Sequence, residues 1–552
     1  VASGSMRYSR VAELFLIFAA LLLVVGSILG KAVGTDGMNQ VYWLHDYAAL
    51  VSQGTFLPRW IPNGFHGLGA PSFYFYPPLA FYLGAIIHIV TGISDGYALF
   101  QATALVSAVG GFIATWLFLR RIQPSNYRAI LGGVLYAIAP YKIAEWYSRS
   151  SISATVGFIF LPLFALALFD IVQNDRASRM RGMIVLAISF TLMLLGSIPL
   201  ALVAVICGGI TIIVFRKNIK RQTIPYGIGA ILLCIGLSAF YTLPVYYFGN
   251  YTQLRHLENI PEYFVNDIVA LRITPVTYHY SIMYAAIVAI VATGFYLIKK
   301  NKLTTSEETA LKVFLSIAAF IFVLEIPPIS IPLWKAPILY LIQGSWRFYI
   351  VLVLLVVAVV AVAENAMLRR ATSAAIIVWS LGSGIALIVA ISGHHFNRHK
   401  DGDIVDPPEY ATIYSLRDRD AFEAMTREHA DDPIAFISSS QPGDSIQRRT
   451  ATGTNQNLDV RLASARMVTF HQLYWPPWRL SVGDKELQTT PDSIGRALAT
   501  LPSGHYTAHW YLEVTPIERL GRWISGLTLL GLVLISVASF ARSRRKNVVT
   551  NP

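Results

Sequence analysis

A chain of 552 residues with 55% hydrophobic and only 14% charged residues, at a mean hydropathy of +0.53, lacks the polar surface that a water-soluble fold of this size needs. Its formal net charge of +13 is distributed as short clusters between apolar runs, which makes it topogenic, with anionic lipid headgroups as its partner and no nucleic-acid footprint. Both cysteines, Cys207 and Cys234, fall inside apolar runs, which excludes a disulfide framework and a thiolate metal site.

In chain order, apolar runs of about 17 to 25 residues predict about twelve transmembrane helices. They lie near 11–32, 96–119, 129–146, 153–173, 182–197, 199–215, 226–247, 281–298, 310–327, 349–366, 373–393 and 522–541. No signal-peptide cleavage pattern follows the first run, so it is expected to stay in the membrane. The stretch 78–93 is apolar but short. It opens on Pro77 and Pro78 amid Phe73, Tyr74, Phe75, Tyr76, Phe81 and Tyr82, a composition suited to a helix lying in the interface. If 78–93 does not cross, Arg7 with Arg10, Arg120–Arg128, Arg176–Arg181, Arg216–Arg221, Lys299–Lys302, Arg369–Arg370 and Arg542–Lys546 all share one face. That face is cytoplasmic by the positive-inside rule, and so are both termini.

The opposite face receives 33–95, 147–152, 248–280, 328–348 and 394–518. In the first outer loop, 33–95, Asp36 follows the first span within TDG, which is also a good turn sequence. His45 and Asp46 lie on YWLHDYAALV, an amphipathic helical pattern in which a solvated face accounts for Asp46. Further on, KIAEWYSR sets Lys142, Glu145 and Arg149 at spacings of three and four. That is either a salt-bridged helix end or a phosphate site, for which arginine offers a permanently charged fork. The same two readings apply to Arg347, after Trp346 in IQGSWRF. Arg255 and His256 crowd the 248–280 loop beside Glu258, Glu262 and Asp267, where a solvated loop explains any single residue.

Beyond the last but one span the composition turns polar. Residues 394–518 carry alternating stretches such as VRLASARMVTFHQLYWPPWRLSV and HYTAHWYLEV, broken by GDK and PSG turns. They predict a small, mostly β extracytoplasmic domain between a membrane module, 1–393, and a last helix with a basic tail, 519–552. With no Gly-rich phosphate loop, HExxH or GxSxG, this domain reads as a lid or acceptor-docking platform.

An acid near the outer leaflet with cations beside it suits transfer of a sugar from a polyprenyl phosphate carrier, where a carboxylate takes the acceptor proton and cations hold the leaving phosphate. Proton-coupled export would instead place acids deep in the spans. Here Glu13, Asp170, Glu325 and Glu364 all lie near span ends, which favours transfer.

The ordered set TD, PRW, GLGAPSFYFYPPL, YAIAPYKIAEWYSR, LSAFYTLPVYY, IQGSWRFY, LYWPPWRLSV and LPSGHY resembles a family of large bacterial membrane proteins. They are labelled 6-pyruvoyl-tetrahydropterin-synthase-related or YfhO-like, and are similar to GT-C glycosyltransferases. The resemblance spans nearly the whole chain. It implies a GT-C-like, α-helical polytopic fold with juxtamembrane helices in the bacterial inner membrane, a polyprenyl-phosphate-linked sugar as donor and a lipid or envelope glycan as acceptor. Carried over by position, it implies Asp36 as the catalytic acid, Arg149 as the arginine of an RG-type motif and Trp346–Arg347 as its WR pair, with Lys142 as a further phosphate ligand. His45, Asp46, Glu145, Arg255 and His256 would support them. Three positions depart from the pattern. Ala154 stands where a glutamate is usual, Asn39 and Gln40 where a histidine often follows the acid, and Ser197 where a histidine often precedes a proline. The lost glutamate keeps a non-catalytic envelope polysaccharide assembly factor as an alternative; a lipid-glycan transporter, the other alternative, would need charged or polar groups inside the spans of both halves, which the sequence does not show. The three losses also bear on the metal question, since some GT-C enzymes use a divalent cation; no tightly held metal or other cofactor is expected here.

Overall fold

The computed structural model describes residues 37–173, 175–253, 305–324, 327–334, 336, 339–342, 344–364, 366–393, 411–416, 419–429, 435–437 and 441–549. The expected spans 11–32 and 281–298 lie outside the described residues, as do Asp36, Arg255 and His256. Six described helices are long and apolar enough to cross a membrane: Gly96–Ile122, Ile152–Ile171, Arg176–Gly196, Arg221–Tyr251, Ser345–Val362 and Pro516–Val537. Ile198–Val214 is apolar but shorter. Thr305–Leu324 and Ala366–Gly393 are helices that carry charged residues in their first turns.

Side-chain caps set several of the starts. Asp95 accepts from the Ala98 amide and Asp175 from that of Ser178, at 2.8 and 2.7 Å. Ser197, at one of the departures noted above, caps the next helix at Leu200. Each satisfies an amide that the first helical turn leaves without a partner.

The expected span 129–146 is not one helix. Asn126–Ala137 stops, Pro140–Ala144 starts afresh, and Glu145–Arg149 forms a π-helical turn. Pro140 is the cause: it cannot donate to the preceding turn and forces Ala139 out of the helical region, to ψ 138°, while suiting the first position of a new helix.

The short helix Leu79–Thr91 ends on Gly92 at φ 76°. Its 13 residues reach about 20 Å, against a hydrocarbon core of about 30 Å. Ile86, Ile89 and Val90 are exposed, whereas Gly84 faces the helix Gly37–Ser52 so closely that an added Cβ would meet the Leu44 side chain at 2.5 Å.

Ion pairs gather one end of the bundle. Buried Asp170 accepts from Arg121 at 2.8 Å and Arg181 at 2.6 Å, and Arg128 pairs with Glu364 at 3.1 Å. The basic clusters 120–128 and 176–181 therefore share that end.

The other end carries a β-sandwich. Its strands are β1 Ala435–Ile437, β2 Ser445–Thr452, β3 Asn455–Leu462, β4 Arg466–Leu473, β5 Trp478–Val482, β6 Lys485–Leu487, β7 Thr489–Pro491, β8 Arg496–Leu501 and β9 Gly504–Leu512. They form two antiparallel sheets, ordered β1-β4-β8-β7 and β2-β3-β9-β5-β6. Inward residues of β3, Leu458, Val460 and Leu462, alternate with more exposed polar ones, as a half-buried sheet requires.

Two hydrophobic clusters result. One, with Leu119, Leu135, Phe158, Phe314 and Ile350, fills the helical bundle. The other joins Trp43, Tyr47, Phe73 and Phe81 of the first loop to Trp475, Trp478 and Trp510 of the sandwich. Trp60 meets Trp478 edge-on at 5.6 Å, and the Leu473 amide donates to the Leu68 carbonyl at 2.8 Å. Arg59 completes the weld. It donates to the Tyr74 hydroxyl, to the Glu513 and Leu512 carbonyls, and to the buried carboxylate of Glu518 on the last helix.

Candidate functional site

The turn after Pro140 brings two of the expected residues into contact. Glu145 and Arg149 are four positions apart, and the guanidinium Nη1 donates to the carboxylate at 3.2 and 3.4 Å. The Tyr141 hydroxyl donates to the same carboxylate at 3.0 Å. Glu145 is 1% exposed at its side chain and Arg149 19%, so the carboxylate is sealed while the cation is partly exposed. Ser150 follows at φ 55°, a conformation costly for a residue with a Cβ, and the Ser151 amide returns to the Glu145 carbonyl at 3.1 Å. A π turn followed by left-handed backbone is strain that packing has to maintain.

The second half of the site comes from a distant span. Gly344 has φ 149° and ψ 155°, and an added Cβ there would meet the Trp346 ring at 1.9 Å. Only glycine permits both. The ring so placed lies 5.9 Å from the Arg149 guanidinium carbon, a cation–π distance. Arg347 is half-buried on the same tight turn, Ser345–Phe348, which leads into Tyr349–Val362. The ring of Tyr349 also approaches that of Tyr141, at 6.3 Å. Arg149, Glu145 and Trp346 are thus one constellation, with Arg347 adjoining it, at the end of the bundle opposite the basic clusters.

Lys142 turns elsewhere. It is fully buried, 4.7 Å from the Tyr136 ring and 5.7 Å from that of Trp146. Its ammonium has no hydrogen-bond partner among the described residues. A Cβ on Gly111 would come within 2.9 Å of Nζ. Two aromatic rings therefore flank the buried amine.

Asp46 is not on a solvated face. It is 8% exposed, accepts from Asn63 Nδ2 at 3.2 and 3.3 Å, and lies 3.3 Å from His45 Nδ1. The apolar period was read correctly as helix, but loop residue 63 folds back and covers the carboxylate. The exposed His45 imidazole is held above its ordinary pKa by the hydrogen bond to Asp46, against the opposing effect of partial burial.

Gln40 was missed as an interacting residue. It is 1% exposed, its Oε1 accepts from the Ile152 and Ser153 amides at 2.7 and 3.4 Å, and its Nε2 donates to the Tyr76 hydroxyl at 3.1 Å. Nothing local in the sequence signals a bond across 112 positions. Among the described residues no three His, Cys, Asp or Glu side chains converge as a metal site, and both Glu145 oxygens accept from Arg149.

The model of the 6-pyruvoyl-tetrahydropterin synthase related domain, described as a membrane protein, matches residues 73–396, more than half of the chain. The chain belongs to this family. In this PTPS-related protein the match runs from the aromatic stretch of the first loop through the constellation at 141–149 and 344–349. No curated protein matches the chain.

Distant solved structures are similar at the level of the chain trace. Arabinofuranosyltransferase AftD from Mycobacteria has 14% identity and a TM-score of 0.42, covering 70% of this chain and 27% of that one. The archaeal oligosaccharyltransferase AglB from Archaeoglobus fulgidus, in complex with an inhibitory peptide and a dolichol-phosphate, has 14% identity and a TM-score of 0.44, covering 70% and 56%. ArnT from Cupriavidus metallidurans, bound to undecaprenyl phosphate, has 14% identity and a TM-score of 0.34, covering 69% and 76%. This chain therefore spans about a quarter of the length of AftD and over half that of AglB.

Proposed function

We propose that this protein is a GT-C type glycosyltransferase of the bacterial inner membrane. It moves a sugar from a polyprenyl-phosphate-linked donor to a lipid or envelope-glycan acceptor on the outer face. The observation that carries the reading is the Arg149 guanidinium, braced by sealed Glu145 and the Trp346 ring yet partly exposed. A cation fixed in that way stabilises the negative charge that builds on a departing phosphate without having to reorganise.

In the inverting reaction, an acceptor oxygen forms a bond to the anomeric carbon while the bond from that carbon to the phosphate oxygen breaks. Its electron pair leaves with the polyprenyl phosphate. The acceptor proton goes to a carboxylate, for which Asp36 is proposed. Asp36 immediately precedes Gly37, the start of the helix that Gln40 ties to residues 152 and 153. Arg149 takes the phosphate and Arg347 assists; the β-sandwich, welded to the first loop, guides the acceptor.

The non-catalytic alternative is favoured by Ala154, buried where the family's glutamate is usual. Asp36→Asn and Arg149→Ala, expressed in cells lacking the native copy, separate the two readings. Loss of labelled sugar transfer from membranes, with the protein still folded and inserted, is expected of both. Unchanged glycan products from Asp36→Asn would remove the base from this scheme.

A further inference from the structure

The helix Ile152–Gly157 begins directly after the Arg149 turn, and its local N-cap is idle. Ser151 makes no side-chain cap. The first helical amides would be buried and unpaired, a cost that native structures avoid, were it not for Gln40 reaching over from the first loop. Its carbonyl oxygen takes both amides, and its NH2 group is anchored on Tyr76. The ring of Tyr76 is in turn wedged between Trp43 at 4.8 Å and Phe81 at 5.8 Å.

The place of this cap matters more than its bond count. Ile152 and Val156 belong to the cluster of the first loop and sandwich, whereas Ala154 and Phe158 belong to that of the bundle. The segment straddles the seam between the two. The π turn and Ser150 at φ 55° make the chain before it unable to hold its own geometry by propensity. The Gln40 bond fixes the backbone directly after the turn that carries Arg149.

We infer that Gln40 is a positioning residue for anion binding by Arg149: a cap supplied across the seam that keeps the guanidinium directed at a lipid-linked phosphate. The inference rests on the phosphate reading of Arg149 given above, and its test separates the two. The full chain in detergent is titrated with undecaprenyl phosphate and, in parallel, with undecaprenol, and binding is followed by native mass spectrometry.

Gln40→Met fills the same volume without an acceptor and is expected to weaken undecaprenyl phosphate about tenfold while leaving undecaprenol unchanged. Gln40→Glu keeps an acceptor at a helix N-terminus, where a carboxylate is welcome, and is expected to bind both lipids as the parent does. If Gln40→Met does not fold, Gln40→Glu decides alone, since a carboxylate retains the cap and loses only the donation to Tyr76. Equal weakening of both lipids in Gln40→Met, parent-like phosphate binding in it, or impaired phosphate binding in Gln40→Glu would overturn the inference. Parent-like phosphate binding by Arg149→Ala would instead sink the phosphate reading itself.

Discussion

Two arginine–carboxylate pairs on the sandwich side of the molecule use the same chemistry to opposite ends. At Arg59 the guanidinium is 8% exposed and Glu518 2%, and the donors end on a phenol, a carboxylate and two backbone carbonyls. Little of its surface is left for a ligand. At Arg149 one nitrogen serves the carboxylate, the guanidinium carbon lies 5.9 Å from the Trp346 ring, and 19% of the side chain is exposed. A guanidinium sealed against backbone acts as scaffold, whereas one braced by a ring and an acid and still partly exposed can meet a ligand.

The largest effect that could break this comparison is Arg59→Met. It leaves Glu518 buried without its cation and is expected to cost about 3–5 kcal/mol, read as a lowered thermal midpoint in detergent. Affinity for undecaprenyl phosphate in the folded fraction should not change, and a selective loss there would mean that Arg59 does more than hold the loop. Gly344→Ala sharpens the other side. With φ 149° and the Trp346 ring in the way, the turn should lose about 1–3 kcal/mol, and phosphate binding should weaken with it as the ring leaves Arg149.

His45 supplies the smallest effect. Its pKa is raised by Asp46, so the folded state holds the proton more tightly than the unfolded chain. The resulting stabilisation is complete below about pH 6.5 and fades as pH rises through the folded value. Because the imidazole is half exposed, His45→Gln should cost no more than about 0.5 kcal/mol at pH 6 and nothing measurable at pH 9. A constant difference across that range would show packing rather than charge.

Much of the architecture was legible because the bilayer imposes a simple code. The runs at 96–119, 182–197 and 226–247 reappear as the helices 96–122, 176–196 and 224–248, and the alternating stretches 460–482 and 505–514 reappear largely as strands. Pro140 was visible too, but hydropathy averaged over its neighbours concealed the break it imposes on 129–146. Asp46 was misjudged because periodicity ranks positions on a helix and says nothing about which loop will cover them. Gln40 and Arg59 were illegible for a related reason: their partners Ile152 and Glu518 lie over a hundred positions away, and polar bonds across such distances leave no local pattern. Glu145 and Arg149 could be paired from spacing alone, whereas their junction with Trp346 required the fold.

The contact between Arg59 and Glu518 joins positions 459 residues apart. While the ribosome is still making the chain, the first loop therefore waits, with Trp60 lacking Trp478 as its neighbour, until the last crossing has been threaded and the sandwich has folded. Closure at such separation is slow, and a polypeptide stopped short of residue 478 would leave that indole without its aromatic neighbour, exposed to quality control instead of packed in its own core. Synthesis as far as the last helix is thus built in as a precondition for the Arg59–Glu518 weld to form at all.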